Sequence, residues 1–409
     1  MDKINVGVIG LGNRGSSNIE VVMLFDYVNI VAVCDNYEDR VEKNIQKVVD
    51  ANRPAPLGTT DYKEVLANPD IDTILIFTSW ESHIQIAIDA MLAGKAVGME
   101  VGGAYDIQEC YDLVEAWENT QMPFMMLENC CFGKKEMLTT NLARAGILGD
   151  IVHCHGAYAH DLRGEISHGK ENRHYRLKNY IERNCENYPT HELGPIAKIL
   201  DINRGNRMVK LVSLASKSLG LKRFVEEEER KGDLKNKDLL NTEFKQADVV
   251  DTLILCENGE TISLKLDTTL PRSYNREFTV QGTRGMFDET TNSVFVNGDE
   301  HWFTTERNTA LQLNNADRNY YKYLPECWQN ITKEQIVRGH GGMDWFCFKV
   351  FFENLRDNKP MPVDVYDAAS WMAITPLSAE SIEKGAFVEI PDFTKGAYKT
   401  RERLDVEVN

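Results

Sequence analysis

Gly10-x-Gly12-x-x-Gly15 follows an apolar, β-branched run, Ile4-Asn5-Val6-Gly7-Val8-Ile9, and opens a segment of helical character, while Asp35 ends the next apolar run 20 residues after Gly15. These residue types at this spacing suit phosphate binding. The first glycine permits a tight turn, the second lets backbone approach a pyrophosphate, and the third lets helix pack on strand; the helix N-terminus, at Asn13 and Arg14, then offers N–H groups to the phosphate charge. A carboxylate at Asp35 accepts ribose hydroxyls and repels a 2′-phosphate, so the expected cofactor is NAD rather than NADP. A structural turn in some other α/β fold is the plainer reading, and the strand–turn–helix context disfavours it.

Six of the nine histidines lie between 153 and 191, and His153-x-His155 on a strand projects to one side. Such a pair is a candidate for metal, but no third ligand is placed beside it, so no metal is expected. Contact with a substrate, or filling of a sheet face, is the preferred reading.

The elements that must position these groups alternate in the first third of the chain. Ile30-Val31-Ala32-Val33-Cys34, Ile74-Leu75-Ile76-Phe77, Ala96-Val97-Gly98-Met99 and Phe124-Met125-Met126-Leu127 read as buried strands. His83, Ile84, Ala87, Ile88, Met91 and Leu92 recur at helical spacing before Gly94. Continuous apolar strands separated by helices predict a doubly wound parallel sheet over residues 1–127. Residues 128–409 change texture: strands at 150–158, 208–216, 251–257, 260–268, 276–281 and 292–296 follow one another with few helices, joined by turns such as Glu257-Asn258-Gly259. This predicts an α+β domain on an open, mainly antiparallel sheet, with the C-terminal segment packing back on the first domain. Glu226-Glu227-Glu228-Glu229-Arg230-Lys231 is expected to be a solvated insertion. An exposed sheet face buries naturally against a second copy, so a homo-oligomer, dimer or tetramer, is expected.

Composition narrows the partners. The 409 residues carry 46 Lys+Arg against 63 Asp+Glu, a net charge of −17, which leaves no basic face for nucleic acid. Nine scattered cysteines without a Cys-x-x-Cys pair argue for a reducing compartment. No apolar run reaches the ~18 residues of a membrane span. Met1-Asp2-Lys3-Ile4 leads directly into a strand, so the expectation is a cytoplasmic protein with no leader and no membrane partner.

Over essentially its whole length the chain resembles the Gfo/Idh/MocA oxidoreductases. In that family a Glu-Lys-Pro motif follows the fifth strand, and its lysine assists proton transfer at the hydroxyl being oxidised. Here the place reads Glu100-Val101-Gly102. A valine exchanges no proton, so that dehydrogenase mechanism is closed. Tyr188-Pro189-Thr190-His191, followed by Leu193-Gly194-Pro195 and Ile202-Asn203-Arg204-Gly205, is similar to the NAD-dependent glycosidase branch. So are Glu128-Asn129-Cys130-Cys131-Phe132, the run from Gly156 to Gly164, Pro271-Arg272-Ser273-Tyr274, and Gly339-His340-Gly341-Gly342-Met343-Asp344. Residues 164–187 depart from the branch and are rich in Arg, Lys, Glu and Asn.

The resemblance implies hydrolysis by transient oxidation of the sugar. Hydride passes from C3 to bound NAD⁺, the ketone acidifies the C2 proton, a base removes it, the C1 substituent leaves, water adds, and the hydride returns. Tyr158 matches the C2 base and His191 the group handling the C3 hydroxyl. Glu128, Tyr188 and Tyr274 match sugar contacts, and Glu100 adjoins the cofactor. A tyrosine base needs a cation to bring its proton within reach, and Arg163, the nicotinamide ring or protonated His191 are candidates. On the strand Tyr158 shares a face with Val152, Cys154 and Gly156, small neighbours that leave room for a sugar ring. Thr190 reads as a helix N-cap that fixes His191. The implied substrates are N-acetylhexosaminides such as α-N-acetylgalactosaminides, or related glycosides. A sugar 3-dehydrogenase and a non-catalytic NAD–sugar binding protein are the rivals. A two-carboxylate glycosidase built on Glu128, Asp161 or Asp344 gives the nucleotide turn no task.

Overall fold

The apolar runs at the start of the chain become β1 (Ile4–Ile9), β2 (Val28–Cys34), β3 (Leu57–Thr59), β4 (Thr73–Ile76), β5 (Ala96–Met99) and β6 (Phe124–Met126), a six-stranded sheet in the order β3-β2-β1-β4-β5-β6. Every pairing is parallel. β-branched side chains suit these strands because helices cover both faces, and β1, β4 and β5 are buried almost throughout. The order reverses beside β1, and the loops after β1 and β4 therefore leave a crevice at the carboxyl ends of the strands. The short strand β3 has no apolar run behind it and was not foreseen.

The computed structural model describes residues 3–232, 235–298, 314–337 and 339–408; Met1 and Asp2 lie outside them. The chain divides into two units. The first holds Met1–Gly133, Glu326–Ser370 and Leu404–Asn409; the second holds Lys134–Pro325 and Trp371–Arg403. Trp80, Phe124, Phe346, Phe348, Phe351 and Phe352 are fully buried in the first, and Tyr180, Phe287, Trp371 and Phe393 in the second. Each such side chain contributes roughly 1.5–3 kcal/mol by leaving water.

The second unit is built on β7 (Ile151–Ala159), β8 (Met208–Ala215), β9 (Val249–Cys256), β10 (Thr261–Asp267), β11 (Thr279–Gly282), β12 (Gly285–Asp288), β13 (Ser293–Val296) and β14 (Val388–Glu389). They form one sheet in the order β13-β12-β11-β7-β10-β9-β8-β14. The β9–β10 hairpin turns at Glu257-Asn258-Gly259, where Gly259 takes φ +98°. The sheet is mainly antiparallel with one parallel pairing, and the expectation of few helices needs correction. β10 pairs with β7 in parallel, because β8 and β9 are laid down between them in sequence but not between them in the sheet. The stretch from 163 to 230 is also rich in helix: Arg163–Ser167, Arg176–Glu182, Thr190–Ile199 and Gly220–Arg230. The last of these includes most of the acidic stretch, with Leu221 and Val225 turned inward, so this is an amphipathic helix rather than a bare insertion. Among the described residues no helix is long and apolar enough to cross a membrane.

Candidate functional site

In the first unit β1 runs into Gly10, whose φ of +93° only glycine adopts without strain. A Cβ there would stand 2.5 Å from the carbonyl carbon of Phe77, and one at Gly15 would stand 1.9 Å from the Gly10 carbonyl oxygen. The two glycines hold strand, turn and helix in van der Waals contact. The helix Asn13–Val22 starts at Gly12 with no side-chain cap, and Asn13 is exposed at its mouth. Among the described residues no side chain caps that turn, which leaves the helix N-terminus open to an incoming anion. Asp35, at the end of β2, is buried and accepts the Leu11 N–H at 2.7 Å and the Tyr37 N–H at 3.1 Å, with Arg40 3.6 Å away. Its carboxylate thus fixes the far side of the turn. This arrangement fits a dinucleotide: a glycine cradle, an uncapped helix start and a carboxylate at the sheet edge.

Arg14 does more than open the helix. Its Nε meets Glu100 at 2.8 Å, and its two terminal nitrogens grip Asp344 at 2.6 and 2.8 Å. Asp344 is 1% exposed and also accepts Asn129 at 2.6 Å and faces His340 Nδ1 at 2.9 Å. Burial by itself pushes the Asp344 carboxyl up, but the charge and hydrogen bonds of Arg14, with His340, hold it far below the ordinary carboxylate range. Sequence reasoning did not connect Asp344 and Asn129 to the turn. Val101, where the family's lysine stands, is buried. Beside it Gly102 leaves room for Trp80 and His83; a Cβ there would lie 2.3 Å from the indole and 3.0 Å from the imidazole. His83 is wholly buried without a hydrogen-bond partner among the described residues, and burial lowers its pKa to about 4, so it is a neutral ring at neutral pH. Glu128 follows β6, is buried, and caps the short helix Asn129–Phe132 by accepting the Cys130 N–H at 3.0 Å.

In the second unit aromatic rings gather at the end of β7. Tyr158 is 6% exposed, and its ring centroid lies 4.5 Å from that of Tyr188 and 5.8 Å from His191. The Tyr188 hydroxyl is 3.3 Å from His191 Nε2, and the Tyr158 hydroxyl 3.5 Å from His160 Nδ1. His160 continues to Tyr274, which is half exposed, with ring centroids 5.1 Å apart. Tyr158, His191, Tyr188 and Tyr274 are therefore brought together, with His160 between them. Desolvation lowers the pKa of His160, favouring a neutral ring that accepts or passes a proton.

The cation at this cluster is Arg176. Buried at 7% exposure, it stands 4.9 Å over the Tyr188 ring and pairs with Glu165 at 2.8 Å. Burial opposes its charge, but the phenols of Tyr175, Tyr158 and Tyr188 and the Glu165 carboxylate hold the guanidinium protonated. Arg163 is placed otherwise: Asp161 takes its guanidinium at 2.7 and 2.8 Å, and it stacks 5.0 Å over Phe224. Arg176 belongs to the segment 164–187, whose short helices Arg163–Ser167 and Arg176–Glu182 carry no motif that sequence reasoning could use.

Two sequence expectations shift here, at Gly156 and Thr190. The space beside Gly156 is filled by protein, since a Cβ there would lie 2.9 Å from the Glu192 carbonyl oxygen, so this glycine admits a helix rather than a sugar. Pro189, not Thr190, holds the N-cap of the helix Thr190–Ile199, and Thr190 is its first, buried residue. His153 and His155 are engaged with Thr261 at 2.9 Å and Ser263 at 2.6 Å, and His155 also meets Glu277 at 3.3 Å.

Comparison with known proteins extends this geometry. Residues 4–127 match the model of the oxidoreductase family NAD-binding Rossmann fold, and residues 132–400 match that of the glycosyl hydrolase 109 C-terminal domain. A glycosyl hydrolase family 109 protein from Stenotrophomonas maltophilia is 36% identical over 98% of this chain and 91% of its own length. An alpha-N-acetylgalactosaminidase from Tannerella forsythia is 35% identical over 98% of this chain and 88% of its own. Among solved structures, a levoglucosan dehydrogenase in complex with NADH and levoglucosan superposes with a TM-score of 0.68 at 18% identity, covering 95% of this chain and all 100% of the other. An oxidoreductase from Agrobacterium radiobacter in complex with NAD+ gives 0.66 at 15% identity, covering 95% and 98%. At that identity the likeness is one of fold.

Proposed function

The chain belongs to glycosyl hydrolase family 109 and is an NAD-dependent glycosidase; from that premise we propose that it cleaves N-acetylhexosaminides, with α-N-acetylgalactosaminides as the first candidates. The observation that carries the reading is the cluster of Tyr158, Tyr188 and His191 under the buried Arg176 cation. Bound NAD⁺ supplies a hydride acceptor for C3 of the sugar and a donor for its return. The remaining work is proton transfer and falls to side chains of the second unit. His191 takes and returns the proton of the C3 hydroxyl, aligned by the Tyr188 hydroxyl at 3.3 Å. Tyr158 removes the proton at C2 once the neighbouring carbon is a ketone, and Arg176 stabilises the phenolate form that this requires. Tyr274, half exposed, offers an aromatic face to the sugar. In the first unit Gly10, Gly12, Asn13, Gly15 and Asp35 receive the dinucleotide, and Arg14 and Glu100 brace the turn. Val101, which replaces a proton-transferring lysine, disfavours a dehydrogenase that releases an oxidised sugar.

Two further readings have support. All nine cysteines are free thiols, which suits a reducing compartment and hence the cytoplasm. On the outer face of the second sheet Leu214 is 73% and Leu253 54% exposed, apolar surface that a second copy of the chain would cover in a homo-oligomer.

A panel of aryl α- and β-glycosides, with and without added NAD⁺, tests the proposal. Release of the aryl group from the α-N-acetylgalactosaminide without accumulating NADH is expected. Stoichiometric NADH with no cleavage would transfer the chain to the dehydrogenases.

A further inference from the structure

Beneath the aromatic cluster lie two carboxyl groups with no part in the chemistry above. Glu186 is 0% and Glu192 2% exposed, and the two side chains meet each other. One oxygen of Glu186 accepts the Tyr188 N–H at 3.3 Å. Among the described residues its other oxygen, and both of Glu192, find no donor of ordinary hydrogen-bond geometry, the Tyr158 main chain being the nearest approach to Glu192. Two ionised carboxylates cannot satisfy one another, since each only accepts. With one proton between them the contact becomes an O–H···O⁻ hydrogen bond, which accounts for two of these three oxygens.

Each member also touches a piece of the site. Glu186 holds the backbone of Tyr188, and the main chain of Tyr158 lies against the Glu192 carboxyl. Glu192 directly follows His191 at the start of the helix Thr190–Ile199, which Gly156 allows to sit against β7. Glu186 is anchored in turn by its N–H, donated to Ser378 Oγ at 2.8 Å.

We propose, resting on the glycosidase reading of Tyr158 and His191, that Glu186 and Glu192 share a single proton, and that this bridged pair is a positioning device that sets Tyr158, Tyr188 and His191 relative to one another. Neither carboxyl touches the reacting atoms. Burial raises both above the ordinary carboxylate range; Glu186 raises Glu192 further, whereas the hydrogen bond from Glu192 lowers Glu186, as for a donor and its acceptor. The charged groups that reach them strengthen this: Asp251 acts on Glu186 and Glu277 on Glu192, both adding negative charge. Tyr180 and Cys185, also buried, feel Glu186 as a nearby negative charge, and the Arg176 cation opposes it at Tyr180. Loss of the shared proton at alkaline pH turns the bridge into a repulsion that pushes His191 away from Tyr158.

Infrared difference spectroscopy between neutral and alkaline pH reads the proton directly, with no need for activity. The wild-type protein should show a carboxylic-acid C=O band that disappears as pH rises, and Glu192→Gln and Glu186→Gln should each lack it. Absence of the band in the wild type overturns the shared proton and leaves the glycosidase reading untouched. Kinetics then test positioning. Glu192→Gln supplies an amide donor in place of the proton and should keep kcat within a few-fold while its alkaline limb moves to higher pH. Glu192→Leu, with NAD content checked, should lose kcat on the order of a hundredfold at little change in KM, as for a misplaced reacting group. An alkaline limb that stays put in Glu192→Gln, or a full kcat in Glu192→Leu, overturns the positioning role. Should the wild type cleave no glycoside, the infrared result stands alone and the glycosidase reading is what fails.

Discussion

Asp344→Asn should loosen the cofactor turn from the far end of the sequence. The carboxylate of Asp344 receives two bonds from Arg14, one from Asn129 and a contact from His340, all between 2.6 and 2.9 Å. An asparagine keeps the shape, loses the charge, and turns an amide donor toward groups that themselves donate. Breaking a buried charge pair from one side costs about 3–5 kcal/mol. The Arg14 side chain remains 28% exposed and retains Glu100, so water and the second carboxylate recover part of that; about 2–3 kcal/mol is the expected loss. Urea unfolding followed by circular dichroism measures it. Because Asp344 titrates below its unfolded value, its contribution is complete above about pH 5 and is lost only as pH falls toward the folded value, so the difference should be level between about pH 6 and 8. A double-mutant cycle with Arg14→Gln should return a coupling of about 1–3 kcal/mol. Strictly additive losses, or a change under about 0.5 kcal/mol, the scale of an ordinary surface substitution, would refute the clamp.

Gly15→Ala places a methyl 1.9 Å from a backbone oxygen that no side-chain rotation can relieve. Overpacking of about 1–3 kcal/mol should appear as roughly 10- to 100-fold weaker NAD binding in a fluorescence titration, and unchanged affinity counts against the cradle. Arg176→Gln removes the cation over Tyr188, and the rising limb of the pH–rate profile should move up by about one unit or more; an unmoved limb clears Arg176 of any effect on the phenol. The stability of the wild type should fall as pH rises from about 5 to 8: Glu186, with a folded pKa raised to about 8, holds a proton that the unfolded chain releases near pH 4.5, and this contribution is lost across that window. Chemical denaturation at a series of pH values in the Glu186→Gln variant should show a flatter dependence, and an equally steep one contradicts the assignment.

Local chemistry was legible in the sequence, and distant pairing was not. The glycine turn and Asp35 are read from spacing because strand, turn and helix are contiguous. Tyr158, Tyr188 and His191 are singled out by the resemblance of their motifs, and the fold gathers their rings into one cluster. The Arg14–Asp344 clamp joins residues 330 positions apart, and no periodicity reports such a contact. Arg176 is hidden for a different reason: it sits in a segment of mixed charge that no motif marks, while the nearer Arg163 is occupied by Asp161 and Phe224. The parallel β7–β10 pairing escaped the rule that successive strands pair antiparallel, because β8 and β9 fold outward from β10 before the sheet returns to β7. Gly156 was read as space for a ligand, and the helix backbone at Glu192 claims that space.

Hydrolysis of an aryl α-N-acetylgalactosaminide in heavy water, with the released sugar read by proton NMR, bears most directly on the oxidation–elimination route. Deuterium at C2, with no net NADH and with the incorporation abolished in Tyr158→Phe while NAD stays bound, is the predicted outcome. A released sugar that keeps its original C2 proton contradicts it.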